Sequence, residues 1–318
     1  MHKIEVIALM TSQNPSINEQ SKQPLVSIIM NCYNGEKYLR EAIDSVLAQT
    51  YQNWEIIFWD NQSTDKSAEI LKSYKESRMK YFYAPTHTTL GQARNLAVEQ
   101  AGGEWCAFLD CDDLWLPMKL EKQVCIIEEE GPSLGLVYGR SRCLIEESGL
   151  NTGLGIRLKA CEQEGEQENL PEGNIFPSLL KKNFVSFVSG MVRRSAYWSV
   201  GGIDPTLKQS EDYDLFLKIS RGFNARAVQE MVCRYRIHNS NLTHTQEWNN
   251  YQENITIVSQ YLPFREAMQG VQINQSYLSA VEIKQGRIFK GIGRLLVHGD
   301  ILLFLNRSAR RILRHLFA

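Results

Sequence analysis

The sequence lacks the features that define several large protein classes. Its seven cysteines are scattered and form no C-x-x-C pair, so neither a zinc site nor a disulfide framework is predicted. No run of about 18 apolar residues occurs, which argues against a membrane-spanning helix. The formal net charge is −1, whereas nucleic-acid-binding domains are usually clearly basic. We therefore predict no nucleic-acid partner.

Two further absences concern targeting. Residues 1–24 contain no basic segment followed by a long apolar stretch, so we expect no signal peptide and interpret them as a loosely attached arm. Free thiols are typical of proteins in a reducing cytosol. We expect a cytoplasmic protein. Peripheral contact with the inner face of the plasma membrane is compatible with this location.

Hydrophobic residues make up 43% of the chain, enough to bury a sizeable core. From residue 25, short apolar runs typical of strands alternate with apolar residues at helical spacing. The predicted strands are 25–30, 55–59, 79–83 and 105–109, and the predicted helices are 38–49, 67–74 and 91–99. This alternation predicts an α/β fold, with a mostly parallel central sheet and flanking helices. Ligands of such sheets bind beyond the carboxyl ends of the strands.

The second half of the chain is less regular. Residues 146–175 are rich in Glu, Gln and Gly and are predicted to be a surface loop or insertion. Further predicted elements are helices at 174–181, 194–200 and 212–220, and strands at 185–192, which carries Gly190, and 228–237. Helical spacing returns at about 245–265 and 274–314. The predicted organisation is an arm (1–24), an α/β domain (25–245) and a C-terminal helical region (246–318).

The C-terminal region is basic. From Lys284 onward, eight Lys or Arg residues stand against one acid, Asp300, and they are interleaved with Ile, Leu and Phe. This pattern favours either a basic amphipathic surface for an anionic membrane or an ordinary packed helix pair with a basic face. Both interpretations stay open.

Asp110-Cys111-Asp112-Asp113 directly follows an apolar strand. If the extended geometry continues, Asp110 and Asp112 point to the same side. Two adjacent carboxylates repel each other, and a divalent cation such as Mn²⁺ or Mg²⁺ relieves the repulsion. Such a cation completes its shell with water and substrate phosphates. The alternative is an ordinary Asp-rich turn.

Other polar residues lie near strand ends and helix starts. A carboxylate at Asp60 suits a base or a ribose hydroxyl, while Asp65 suits a helix cap. Arg94 is interpreted as a partner for a diphosphate or for the aspartate pair, the alternative being a solvated helix arginine. Glu211 and Asp212 begin a helix, where the helix dipole alone favours acids. His238 is either a ligand of a metal or pyrophosphate, or a structural histidine.

Taken in order, these segments resemble one family. The segments that carry the resemblance are Val26 to Glu36, Asp60 to Asp65, Ala93-Arg94-Asn95, Asp110 to Asp113, Glu211-Asp212 and His238. Together, over about residues 24–245, they are similar to family 2 glycosyltransferases with the GT-A fold, the group that decorates bacterial surface polysaccharides.

The resemblance implies a role for each matched residue. Asp212 corresponds to the general base, with Glu211 beside it. Asp112 and His238 correspond to the metal ligands. The residues implied to bind the nucleotide-sugar are Asn31, Tyr33, Asn34, Asp60, Asn61, Arg94, Asp110, Cys111 and Gly190.

The same resemblance implies an inverting, metal-dependent transfer of one sugar. The donor would be a UDP-, dTDP- or GDP-sugar, and the acceptor a hydroxyl of a glycan or a lipid-linked molecule. Two departures matter. The family often has a second Asp where this chain has Asn61, and the Gln-x-x-Arg-Trp segment of the processive synthases is absent, which favours transfer of a single sugar.

Three other functions are considered. A nucleotidyltransferase usually has a Gly-rich, basic loop after the first strand, where this chain has Asn31-Cys32-Tyr33-Asn34-Gly35-Glu36. A NAD-dependent oxidoreductase needs G-x-G-x-x-G there, which is also absent. A non-catalytic scaffold that binds a nucleotide-sugar stays an alternative, although Asp110, Asp112 and Asp212 argue against it.

Overall fold

The structure is a computed structural model, and it describes residues 23–145, 169–238, 241 and 247–299. Its strands are β1 (Val26–Cys32), β2 (Trp54–Asp60), β3 (Met79–Tyr83), β4 (Trp105–Phe108), β5 (Leu114–Trp115), β6 (Leu134–Ile145), β7 (Met191–Arg193) and β8 (Asn224–Ile237). Its helices are α1 (Leu39–Leu47), α2 (Ser67–Ser73), α3 (Leu90–Glu99), α4 (Lys119–Glu129), α5 (Phe176–Lys181), α6 (Arg194–Ser199), α7 (Glu211–Gly222), α8 (Glu247–Ser259), α9 (Arg265–Lys284) and α10 (Ile288–His298).

The strands form one sheet in the order β3-β2-β1-β4-β7-β6-β8-β5. The first four strands in this order pair in parallel, as predicted. Beyond β4 the sheet is mixed, because β7 runs antiparallel to both β4 and β6. The prediction of an α/β sheet is therefore confirmed, and its parallel character belongs mainly to the first half of the chain.

Alternate residues of the strands supply two hydrophobic cores, one on each face of the sheet. In β1, Ile29 faces one core, whereas Ile28 and Met30 face the other. Helix α1 covers the second core with Leu39, Ala42, Ile43 and Val46, which lie one helical turn apart. Helices α3 and α7 cover the first core. Helices on both faces leave the strand ends as the accessible edge.

Several predictions for the second half of the chain were wrong or incomplete. The strand predicted at 185–192 contains a 3-10 turn at Phe187–Ser189, and only Met191–Arg193 is a strand. The turn forms because the amides of Ser189 and Gly190 donate to the carbonyls of Ser186 and Phe187. Elements α4 and β6 were not predicted. In α4, the buried polar side chains of Lys119 and Gln123 disturb the apolar spacing.

The C-terminal region is helical, as predicted, but its breaks differ. The described part has three helices, with a turn around Pro263 between α8 and α9 and a left-handed Gly286 (φ 78°) before α10. None of the described helices has the length and apolarity needed to cross a bilayer. Residues 1–22, 146–168 and 300–318, which include most of the predicted arm and insertion, lie outside the described residues.

Candidate active site

The carboxyl ends of β1 and β2 meet at one edge of the sheet, where Cys32 pairs in register with Asp60. The two following loops bind each other tightly. The amide of Asn34 donates to Ser63 Oγ (3.0 Å), and the Asn34 side chain accepts from the amide of Thr64 (2.8 Å). Asn34 adopts a left-handed conformation (φ 56°), which asparagine tolerates better than most residues. These bonds fix one wall of a crevice.

Asp65 strengthens the same wall. One carboxylate oxygen accepts from the amide of Ser67, the first residue of α2 (2.9 Å), although the N-cap residue is Lys66 and not Asp65 as predicted. The other accepts from the amide of Glu36 (2.8 Å), and the Glu36 carboxylate in turn accepts from the amide of Lys66 (2.9 Å). The loop after β1 and the start of α2 therefore hold each other in place.

Asp60 and Asn61 are buried beneath this wall. Asp60 is fully buried and accepts from the Ser63 amide (2.7 Å) and from the Tyr81 hydroxyl (2.8 Å). The Asn61 side chain binds the backbone of Thr88 in both directions. Both residues were predicted to contact a nucleotide directly. The structure instead gives their side chains internal partners, because each ties together loops that border the crevice.

An aromatic pair lies at the rim of the crevice. Tyr33 is 57% exposed, and its ring centroid lies 4.5 Å from that of His87. Nδ1 of His87 lies 2.8 Å from the Asn61 carbonyl oxygen, which fixes the imidazole. Tyr33 was predicted from the sequence and His87 was not. The signal for His87 was its place just after β3, beside the other strand ends.

Asn31 and Cys111 meet at the base of the crevice. Cys111 Sγ donates to the carbonyl of Asn31 (3.3 Å), so this thiol points to β1 and not into the crevice. The role predicted for Cys111 as a ligand contact is thus replaced by a packing role. Nδ2 of Asn31 is buried and has no hydrogen-bond partner in the described part of the chain. A buried amide donor of this kind fits a hydrogen bond to a bound molecule.

The acidic turn, Asp110 to Asp113, follows β4. The side chains of Asp110 and Asp112 are about one-third exposed, at 34% and 32%. Asp113 is buried, where it accepts from the amide of Arg236 (2.7 Å). Burial and the neighbouring carboxylates of Asp112 and Asp110 raise the pKa of Asp113 well above its usual value. The turn therefore presents two carboxylates to the crevice and uses the third as a support.

Arg94 joins the acidic turn to the start of α7. It is buried, with Nη2 2.9 Å from Asp110 Oδ1 and Nη1 2.5 Å from Glu211 Oε1. Its guanidinium also stacks on the ring of Phe187 (3.9 Å). Of the two predicted roles, the structure contains the contact with the acidic turn. Glu211, predicted as catalytic, is buried in this bridge and positions its neighbours.

Asp212 follows Glu211 in the first turn of α7. One of its oxygens accepts from the amide of Tyr213 (2.6 Å). Burial, and then the adjacent Glu211 carboxylate, raise the pKa of Asp212 to about 7, although Arg94 acts in the opposite direction. A carboxylate with this pKa can accept a proton at neutral pH.

The loop before α7 is held by a residue that the sequence analysis missed. The carboxylate of Glu253, on α8, accepts from the amides of Lys208 (3.0 Å), Gln209 (2.8 Å) and Ser210 (3.1 Å). A carboxylate that accepts several amide bonds is strongly fixed. Helix α8 therefore sets the position at which α7, and with it Asp212, begins.

His238 and Asp112 approach each other across the crevice, with Nε2 and Oδ2 3.0 Å apart. The ring of Tyr38 packs on the imidazole at 5.0 Å, and Asn241 accepts from the His238 amide (2.6 Å). Arg236, which was not predicted as a site residue, holds the turn by donating to the Asp112 carbonyl (2.8 Å).

The separation of this pair fits a divalent cation. Two adjacent ligands of an octahedral cation, each about 2.1 Å from the metal, lie about 3.0 Å apart. Carboxylate and imidazole are both suitable donors for Mn²⁺. In the structure the same separation is that of a hydrogen bond. No group of three or more His, Cys, Asp or Glu in the described residues is arranged to hold a metal, so phosphate or water oxygens would have to complete the shell of a cation held by this pair.

Gly190 ends the 3-10 turn whose Phe187 ring stacks on Arg94. It is buried, and a Cβ atom there would lie 3.1 Å from the ring of Phe216 and 3.2 Å from the Phe187 carbonyl oxygen. Close packing therefore explains this glycine. Its predicted place beside a donor sugar stays a prediction.

Known proteins share this sequence pattern. The family described as Glycosyl transferase family 2 matches residues 27–201, more than half of the chain. An uncharacterized glycosyltransferase of Rickettsia typhi is 31% identical over 229 residues, which cover 72% of this chain and 69% of that protein. TuaG of Bacillus subtilis, named as a teichuronic acid biosynthesis glycosyltransferase, is 28% identical over 225 residues, covering 70% and 82%.

Solved structures share the fold. S. aureus TarS 1–349, solved with UDP-GlcNAc, has a TM-score of 0.58 and 18% identity, covering 89% of this chain and 76% of that one. The mannosyltransferase PcManGT of Pyrobaculum calidifontis, solved with GDP-Man and Mn²⁺, has a TM-score of 0.60 and 16% identity, covering 92% and 83%. The mixed sheet with its flanking helices is therefore of the GT-A type.

Proposed function

The chain belongs to glycosyl transferase family 2, and we propose that it is an inverting enzyme that moves one sugar from a nucleoside-diphosphate sugar to an acceptor hydroxyl. The observation that carries the proposal is the Arg94 bridge, which joins Asp110 on the donor side to Glu211 beside Asp212. This bridge sets a base with a pKa of about 7 next to the acidic turn.

The donor site is proposed between β1, β2 and the acidic turn. The buried amide of Asn31 is a donor without an internal partner in the described residues, and the Tyr33–His87 pair offers an aromatic surface for a base. UDP-GlcNAc and GDP-Man in the related structures support a nucleotide-sugar as donor. A UDP-, dTDP- or GDP-sugar fits these groups equally.

Asp112 and His238 would hold Mn²⁺ or Mg²⁺, since their separation fits a divalent cation. When bound, the metal neutralises negative charge on the nucleoside diphosphate. The Mn²⁺ complex of the mannosyltransferase supports this cofactor. Asp110 keeps its ion pair with Arg94 and lies beside the diphosphate.

The reaction proposed is a single displacement. Asp212 takes the proton from the acceptor hydroxyl while that oxygen forms a bond to the anomeric carbon. The bond from this carbon to the diphosphate oxygen breaks, and the nucleoside diphosphate leaves with the electron pair. Attack from the side opposite the leaving group inverts the anomeric configuration.

The acceptor is proposed to be a glycan or a lipid-linked molecule of surface polysaccharide synthesis. Support comes from the name of TuaG, which refers to teichuronic acid biosynthesis. We also propose a cytoplasmic location. The cysteines in the described residues, among them Cys32 and Cys111, are free thiols, as is usual in a reducing compartment.

The proposal is tested by incubating the protein with a panel of UDP-, dTDP- and GDP-sugars and Mn²⁺. We expect release of the nucleoside diphosphate from one donor class, abolished by chelation of the metal. Release of a sugar 1-phosphate, with the nucleoside monophosphate transferred, would indicate a nucleotidyltransferase. Binding of a donor without any release, in the presence of cell-envelope glycans and lipids, would indicate a non-catalytic scaffold.

A further inference from the structure

Helix α10 presents its apolar side chains outward. Of the 13 large hydrophobic side chains that are exposed in the described part of the chain, five lie on these 11 residues. They form the outer face of α10, which consists of Ile288, Phe289, Ile292, Leu296 and Val297. Phe289 alone is 94% exposed. Such a continuous apolar surface usually marks an interaction site.

The opposite side of α10 packs closely on α9. Gly291 and Leu295 are its buried residues. A Cβ atom at Gly291 would lie 2.7 Å from the carbonyl oxygen of Ser279 and 2.6 Å from Ile283. Arg294 further binds Glu282 of α9 (2.9 Å). The helix is therefore fixed in an orientation that leaves the outer face exposed.

The charges around the outer face are positive. Residues 282–299 contain four basic side chains and one acidic side chain, Glu282. Glu282 is fully buried and pairs with Lys290 (3.3 Å) and Arg294 (2.9 Å). The side chains of Lys284 and Lys290 are exposed, although Lys284 lies 4.0 Å from Glu247 of α8. Arg287 is exposed at the start of α10, so the basic groups still outnumber the two acidic ones.

We propose that the outer face of α10 docks the enzyme on an anionic lipid surface. Helices of this composition lie in the plane of the bilayer, with their apolar side chains among the acyl chains and their basic side chains at the lipid phosphates. The inference rests on the proposed function, for which it specifies an acceptor carried by the membrane.

The start of α10 lies at the end of the helical region that reaches the catalytic base. Lys284, four residues before α10, is 4.0 Å from Glu247 at the start of α8. Glu253, on the same helix, binds the backbone of Ser210, and about 9 Å of helix separates these two positions of α8. The start of α10 is therefore linked through α8 to the loop that carries Ser210, two residues before Asp212.

The test is flotation of the full-length protein with vesicles of phosphatidylcholine alone and of phosphatidylcholine mixed with phosphatidylglycerol. We expect binding to the mixed vesicles that weakens in high salt, and little binding to the neutral ones. The double variant Phe289→Ser/Leu296→Ser should lower the partition coefficient at least tenfold. Met118→Ser removes another exposed apolar side chain (50% exposed), from the start of α4, and should change nothing.

Two results would overturn the proposal. One is failure of the wild-type protein to float with anionic vesicles. The other is flotation of the double variant like the wild type. In that case, a change from dimer to monomer in the variant would assign the face to a second copy, and a lowered melting temperature would assign it to residues 300–318. Donor hydrolysis is measured separately, without vesicles. If hydrolysis persists when flotation fails, the docking proposal is wrong and the proposed function stands.

Discussion

The two sides of the crevice are held by different kinds of contact. On the donor side, the loops after β1 and β2 bind each other through side chains about 30 positions apart, as Glu36 and Asp65 do at a separation of 29. On the catalytic side, α7 depends on Arg94, 117 positions before Glu211, and on Glu253, 43 positions after Ser210. The loops after β1 and β2 are thus a local assembly, whereas the base and the acidic turn, which Arg236 holds from 123 positions after Asp113, are positioned by distant parts of the chain.

The largest expected effect is that of Asp212→Asn, which removes the base and leaves the donor side intact. We expect transfer to fall by about 10²–10⁴-fold, with nucleotide affinity by calorimetry close to wild type. Asp214→Asn, on the same helix, makes the same change at a carboxylate that pairs with Lys218 and should leave turnover unchanged. Lost nucleotide affinity with retained turnover in the Asp212 variant would contradict the division of roles.

The pH dependence of wild-type transfer belongs to the same comparison. Because the pKa of Asp212 is raised to about 7, its carboxylate is protonated below that pH and cannot accept a proton. The rate should therefore increase as the pH rises through 7, and the residual rate of Asp212→Asn should lack this increase.

Arg94→Met breaks the Arg94 bridge between the two sides. It leaves the Glu211 and Asp110 carboxylates without their cation, and removal of one partner from a buried ion pair costs about 3–5 kcal/mol. Chemical denaturation should reveal this loss of unfolding free energy. Arg94→Lys, which keeps the charge, should lose less. A loss below about 1 kcal/mol for Arg94→Met would mean that the bridge does not hold the two sides together.

Asp112→Ala acts on the donor side alone. We expect the Mn²⁺-dependent part of nucleotide affinity to fall at least tenfold, because one of the two protein ligands proposed for the metal is lost. Calorimetry with Mn²⁺ and with EDTA separates this part from the rest, and in EDTA the variant and the wild type should agree. A variant that binds the nucleotide in Mn²⁺ as tightly as the wild type does would contradict the assignment.

The smallest effect is expected for Glu253→Gln. One hydrogen bond to a charged group contributes about 1.5–3 kcal/mol, but the amide of Gln keeps an oxygen that can accept from the loop amides. We therefore expect only about a fivefold drop in kcat, with KM for the donor unchanged. Glu266→Gln on α9 makes the same charge change away from the loop. A shift in donor KM instead of kcat would mean that α8 supports the donor side.

The difference between contacts that are close in sequence and contacts that are distant also determines which features the sequence predicts. The parallel strands follow from apolar spacing and the acidic turn from polar residues at a strand end, and both lie on the donor side. The helix start that carries Asp212 was also visible. Its supports were not, since no local pattern indicates that Glu253 reaches the amide of Ser210.

In other places the prediction did not account for the burial of side chains. Asp60 and Cys111 occupy the expected strand ends, but their side chains bind inside the protein, and spacing does not distinguish a residue that lines a crevice from one beneath it. Conversely, the outward direction of Phe289 depends on how Gly291 packs against α9. Both features are set by tertiary contacts.

The central claim, a single displacement with Asp212 as base, is tested most directly by the anomeric configuration of the product. Proton NMR can follow the sugar that is transferred from an α-linked donor to the acceptor or, slowly, to water. For transfer to water, the anomer is observed before mutarotation. The account predicts that the β-anomer appears first. First appearance of the α-anomer would mean retention of configuration and would contradict the proposed mechanism.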